Sequence, residues 1–155
     1  MPATDDLPER PEIEAAGSVG AAPEQVFDFL SDLANHWRLV DRFVEVIELS
    51  GPPGQEPDSG LVRLRGPLGV HRTVQTRVDE ARRPELIVGT AQLGEGTRAR
   101  VTWTLAPDGT GTHVRLAAEV EQVGVLDRLL LALGGRAWLR RRFRHGLTRL
   151  AARYA

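Results

Sequence analysis

The sequence predicts an α+β fold in which a seven-stranded, curved antiparallel sheet wraps around one long C-terminal helix, with two short helices between strands 1 and 2. Three observations predict it. From Phe43 to Val123 apolar residues recur with a period of two, in runs separated by glycine- and proline-rich turns. From Val125 to Tyr154 the period is helical. Ahead of Phe43, one alternating run is followed by two short helical patterns.

Residues 1–11 carry Pro2, Pro8 and Pro11 among acids and offer little to bury, so they are expected to be a flexible tail before a single domain over 12–155. Glu12 to Gly20 reads as the first strand. Ala21-Ala22-Pro23-Glu24-Gln25 starts a helix, with proline at its first position and an acid in the first turn. Val26, Phe29, Leu30 and Leu33 continue it at helical spacing. Ser31 or Asp32 can end this helix and cap a second, which runs through Trp37.

The strands expected next are Phe43–Leu49, Leu61–Arg65, Val70–Asp79, Glu85–Leu93, Thr97–Leu105 and Thr110–Val123. Gly51-Pro52-Pro53-Gly54, Gly66-Pro67-Leu68-Gly69 and Pro107-Asp108-Gly109 are turn signals between them. Connections this short make hairpins, because a parallel pair needs a long crossover. In the last strand Thr112, Val114, Leu116, Ala118 and Val120 alternate with His113, Arg115, Glu119 and Glu121, so the even positions face inward. Ala99, Val101, Trp103 and Leu105 face inward on the strand before it.

The C-terminal segment must cover that apolar face. Leu126, Leu129, Leu130, Leu133 and Ala137 form one stripe; Leu139, Phe143, Leu147, Leu150 and Tyr154 form another, rotated from the first. A bend is expected at Gly134-Gly135, between the two. Leu126, Leu130, Phe143, Leu147 and Leu150 should be largely buried.

Composition excludes several functions. The 155 residues are 41% hydrophobic and 26% charged, ordinary for a folded domain, and include no cysteine. A disulfide framework, a thiolate metal site and a cysteine nucleophile are thereby ruled out. No basic-then-apolar leader opens the chain, and the longest aliphatic run, Leu129 to Leu133, is far below the roughly 20 residues of a membrane span. A cytoplasmic location is expected. All 20 cationic side chains are arginine, which the codon usage of a GC-rich genome explains without any selective need for guanidinium groups. Eight arginines against one acid, Asp127, follow Val125, whereas eight acids against Arg10 occupy the first 35 residues. Attraction between the two ends would account for this asymmetry.

Strand, two short helices, six strands and a long final helix is the order of the START-like (SRPBCC) superfamily, which includes the birch-pollen-allergen proteins. Ala22-Pro23-Glu24-Gln25-Val26-Phe27-Asp28-Phe29-Leu30-Ser31-Asp32, followed by His36-Trp37, resembles the opening of bacterial polyketide cyclase/dehydratase-like proteins. Gly111-Thr112-His113-Val114 and the arginine-rich helix after Gly124 are similar to the same group. The resemblance runs from about Ile13 to the C terminus. It implies the helix-grip fold and an internal cavity for a hydrophobic small molecule. The superfamily mixes aromatase/cyclases, lipid carriers, ubiquinone-binding proteins and hormone receptors, so it leaves the activity open.

The chemistry-bearing residues narrow the field. His36, His71, His113 and His145 lie on separate elements without metal-ligand spacing, and His71 and His113 face outward by parity. No metal site and no cofactor are expected. Ser18, Ser31, Ser50 and Ser59 lack a Gly-x-Ser-x-Gly setting, and no glycine-rich phosphate loop precedes a helix. A pocket of roughly 300–1,000 Å³ is expected, bounded by Trp37, Val74, Trp103, Leu116 and Leu130, with Thr76 also facing in. Trp37 and Trp103 serve equally as cavity wall or as plain core. Trp138 falls between the two stripes and has no assigned place.

Arg72 shares the inward parity of Val74 and Thr76. A guanidinium in an apolar cavity costs several kcal/mol unless paired or solvated. A ligand anion would meet that need; so would a place at the cavity mouth or a bulge that turns the side chain out. The run Arg140-Arg141-Arg142-Phe143-Arg144-His145 reads as the solvated face of an amphipathic helix. With a pI near 6.4 it is too narrow for nucleic acid, and weak peripheral contact with anionic lipid is the most it suggests. No feature defines the oligomeric state. An interaction module resting on the arginine helix is the weakest of three functions, and two stand ahead of it. One is a carrier or sequestering protein for a lipid, isoprenoid or polyketide-like molecule, held by Trp37, Arg72, Val74, Thr76, Trp103, Leu116 and Leu130. The other is a polyketide cyclase, aromatase or dehydratase, with His36 as its base and Arg72 as oxyanion partner.

Overall fold

The chain leaves one edge of the sheet along β1 (Ile13–Val19) and re-enters at the opposite edge along β2 (Val44–Ser50). Two short helices, α1 (Pro23–Ser31) and α2 (Leu33–Arg38), carry it across. From β2 it returns strand by strand through β3 (Ser59–Arg65), β4 (His71–Arg82), β5 (Leu86–Leu93), β6 (Thr97–Asp108) and β7 (Gly111–Gln122). The spatial order is β1-β7-β6-β5-β4-β3-β2, antiparallel throughout. The structure, a computed structural model, describes residues 13–40, 42–54, 57–66, 69, 71–94 and 96–155. The expected tail over 1–11 lies outside the described residues.

The seven strands and two connecting helices match the sequence reading to within a few residues. Pro23 opens α1, and the Asp32 side chain caps α2 by accepting a 2.9 Å hydrogen bond from the Ala34 amide. Breaks in register at Val46/Glu48, Val78/Glu80 and Arg98/Ala99 interrupt the ladders. Bulges of this kind bend a strand and sharpen its twist, and the sheet curves around the helix.

The concave face is the apolar one. Trp103, Leu105, Val114 and Leu116 are buried there, while His71 and His113 are exposed on the other side. The C-terminal half of α4 (Arg136–Arg153) packs along β1, and Leu147 and Leu150 join Val26 and Leu30 in the main core. Each such leucine contributes about 1.5–3 kcal/mol by leaving water. A second cluster, Phe43, Val44, Val62 and Val74, lies toward the β2 edge.

The C-terminal helix corrects one expectation. It consists of α3 (Val125–Leu130), one π-helical turn (Leu131–Gly135) and α4, bent where Gly134 takes a φ of 109°. Leu126, Leu129 and Leu133 are 58%, 54% and 75% exposed, so of the leucines in the first stripe only Leu130 faces the sheet. Asp127 and Leu131 face in beside it, and Asp127, Leu130 and Leu131 are the i, i+3, i+4 positions of one helix face. Leu130 and Phe143 are half-buried against the cavity described below. The charge asymmetry also resolves differently. Glu14 pairs with Arg115 of β7, and Asp28 pairs with Arg83 of the β4–β5 turn, so these acids are met by the sheet.

Candidate functional site

Where α3 and the π-helical turn cross β3–β7, the helix stands off the sheet and leaves a cavity of about 280 Å³. This is just under the lower bound expected from the sequence. Its wall is the concave face of the sheet, closed by the end of α2 and by the bent helix. Alternation decides which side chains reach it: Arg72, Val74 and Thr76 from β4, Ala99, Val101 and Trp103 from β6. The residues expected around a ligand, Trp37, Arg72, Val74, Thr76, Trp103, Leu116 and Leu130, all line this one space, as does His36. A larger trough of about 950 Å³ runs along the outer face. Several of its charged groups are already paired with one another, as in Arg77–Asp79 and Arg100–Glu121. The inner cavity is smaller but apolar and covered, and is the candidate site.

Arg72 meets an anion supplied by the chain itself. Its two terminal nitrogens donate to the two carboxylate oxygens of Asp127 at 2.5 and 2.9 Å, a bidentate pair. Thr97 of β6 also donates to Asp127, and its hydroxyl accepts from the Gly124 amide at 3.0 Å. Asp127, Thr97 and Arg72 therefore anchor the start of α3 to two strands. Strand parity turns Arg72 inward and Asp127 is the one acid of its segment, but nothing local in the sequence joins the two.

His36 lies between two tryptophans, its ring 4.9 Å from that of Trp37 and 5.3 Å from that of Trp103, edge to face in both cases. Its half-buried surface faces the cavity; elsewhere protein surrounds it. Burial lowers its pKa from 6.5 to about 4, although a hydrogen bond with the Leu30 backbone opposes the shift. The imidazole is neutral at physiological pH. The indole nitrogens of Trp37 and Trp103 are buried without hydrogen-bond partners.

Among the cavity residues that strand parity does not reach, Trp138 and Arg142 stand on α4. The Arg142 guanidinium carbon sits 4.2 Å from the ring centroid of Phe43 and 5.1 Å from that of Trp138. Their signal was present as spacing: Trp138, Arg142 and Gly146 recur every four residues and share one helix face. The surrounding arginines hid it. Among the described residues, no group of three metal-ligating side chains occurs, and no helix is long and apolar enough to cross a membrane.

Comparison with known proteins places the chain. No curated protein sequence matches it significantly. A START superfamily protein from Mycobacterium smegmatis superposes with a TM-score of 0.69 at 15% identity, covering 92% of this chain and 98% of that one. A protein of Thermus thermophilus gives a TM-score of 0.68 at 20% identity, covering 92% and 95%. One of Chromobacterium violaceum gives 0.68 at 18% identity, covering 92% and 96%. At these identities the likeness is one of fold, and the fold is helix-grip. Residues 10–155 match the family described as polyketide cyclase / dehydrase and lipid transport, in which binding of hydrophobic molecules is the common theme. With that match over nearly its whole length, the chain belongs to the polyketide cyclase / dehydrase and lipid transport family.

Proposed function

We propose that the protein holds a hydrophobic small molecule, a lipid, isoprenoid or polyketide-like compound, in the cavity under its bent C-terminal helix, as a carrier or sequestering protein. The observation that carries this reading is the character of the cavity wall. It is apolar and aromatic, and its polar groups do not form an acid–base pair. Arg72 and Asp127 neutralise each other, and His36 is an imidazole with a pKa of about 4. Apolar walls with few convergent polar groups suffice for binding. Trp37, Trp103, Val74, Thr76, Leu116 and Leu130 supply the contact surface, and Arg72 enters as half of a neutral pair.

Native mass spectrometry of the protein purified from its own host tests the proposal. A retained small molecule, lost when Ala99→Phe fills the cavity, is the expected result. All three tryptophans line the cavity, so intrinsic fluorescence should report the same binding in solution. No retained mass, and no fluorescence response to any apolar ligand, would refute it.

One observation favours a second reading, that of a polyketide cyclase: His36 and Arg72 do line the same space. A base with a pKa of about 4 is weakly matched to proton abstraction near neutral pH. Product distribution from a poly-ketone precursor separates the two. Cyclisation lost in His36→Ala or Arg72→Ala would establish the enzyme; tight binding without turnover supports the carrier.

A further inference from the structure

The cavity wall holds a second arginine, and this one has no anion. Arg142 forms no ion pair among the described residues, unlike Arg72 with its carboxylate. Its Nε is buried without a hydrogen-bond partner, and its guanidinium stacks on Phe43 and Trp138. One turn further along α4, the ring of His145 lies 5.8 Å from that of Phe43, and its buried Nε2 is also unpartnered. Two buried nitrogens without partners, three residues apart, are rare enough in a folded protein to require an explanation. Stacking on aromatic rings offsets part of the cost of desolvating a guanidinium, yet leaves the Nε–H donor unused.

We propose that Arg142 receives the head of an amphipathic anion, a molecule with an apolar body and a single carboxylate, phenolate or enolate oxygen group. The proposal rests on the reading of the cavity as a ligand site and names the class of ligand. The body lies against Trp103, Val74 and Leu116, and the charged head meets the guanidinium beside Phe43. Arg72 does not compete for the head, because Asp127 already occupies both of its terminal nitrogens. The net charge of the wall's ionised side chains is therefore that of Arg142, one positive, and a monoanion neutralises it.

Decanoate and decan-1-ol share an alkyl body and differ in the charge of the head. Binding of each to the full chain is followed by tryptophan fluorescence, for wild type and for Arg142→Gln. The substitution should weaken decanoate about tenfold or more and change decan-1-ol by less than about twofold. An equal effect on both, or on neither, overturns the proposal. A second measurement needs no variant: the carboxyl carbon of [1-¹³C]decanoate is titrated in the wild-type complex. A head on Arg142 lowers the pKa of the bound acid below that of the free one, whereas a head in an apolar wall raises it. A raised pKa overturns the proposal whatever the variant does. If decan-1-ol binds and decanoate does not, the cavity reading stands and this inference fails; if neither binds, both fail.

Discussion

Arg72 of β4 and Asp127 of α3, 55 residues apart in sequence, meet through two hydrogen bonds of 2.5 and 2.9 Å at the cavity wall. The pair decides how the start of the C-terminal helix is presented. Once Asp127 faces the sheet, helical spacing turns Leu130 and Leu131 inward with it and leaves Leu126, Leu129 and Leu133 outside. An anchor of two charges and a threonine hydroxyl has here overridden a stripe of leucines.

Asp127→Ala should destabilise the protein by about 1–3 kcal/mol, because it leaves Arg72 partly desolvated and unpaired. Both side chains keep some solvent contact, which holds the cost below that of a fully buried pair. Arg72→Leu combined with Asp127→Leu should cost less than the sum of the single changes. Urea denaturation of the four proteins measures the coupling, and additive losses would mean that the pair contributes nothing.

Leu116→Ala should cost about 2–5 kcal/mol, as a large-to-small change on the buried face of β7. His113→Ala, three residues away on the exposed face, should stay within about 0.5 kcal/mol of wild type. Similar losses in chemical denaturation would contradict the burial of this strand.

Acid should weaken the fold through His36 before the carboxylates titrate. In the unfolded chain His36 takes up its proton near pH 6.5, and in the folded chain near 4. Between these values the unfolded state binds more protons, so stability is full above pH 6.5 and falls as the pH is lowered toward 4. The total is about 3 kcal/mol for a shift of this size. Glu14 and Asp28, held low by hydrogen bonds from Arg115 and Arg83, lose their contribution only further down, as the pH falls through the carboxylate range. Unfolding midpoints of wild type should therefore drop between pH 7 and 5, and those of His36→Phe should drop much less. Parallel curves would show that His36 is not buried in its neutral form.

Gly134→Ala should cost about 1–2 kcal/mol, because at a φ of 109° an L side chain strains the backbone. No atom lies within 4 Å of the added methyl, so the loss is conformational and owes nothing to packing. Thermal unfolding measures it. A higher melting temperature for the variant would mean that the helix runs straight through this position.

Element order, strand parity and the need for a helical cover were all legible in the sequence. They are written locally, in apolar periods of two and 3.6 and in the glycines and prolines that separate them. Parity alone placed Val74, Trp103 and Leu116 on one wall, and it sent His71 and His113 to the other side. The partners were settled only in the folded chain. That Arg72 finds Asp127, that His36 is enclosed between Trp37 and Trp103, and that Arg142 is left without a carboxylate all depend on contacts between elements distant in the chain. The rotation of α3 was settled in the same way. Its leucines and its one acid offer competing inward faces on the same helix, and only the positions of Arg72 and Thr97 across the sheet select between them.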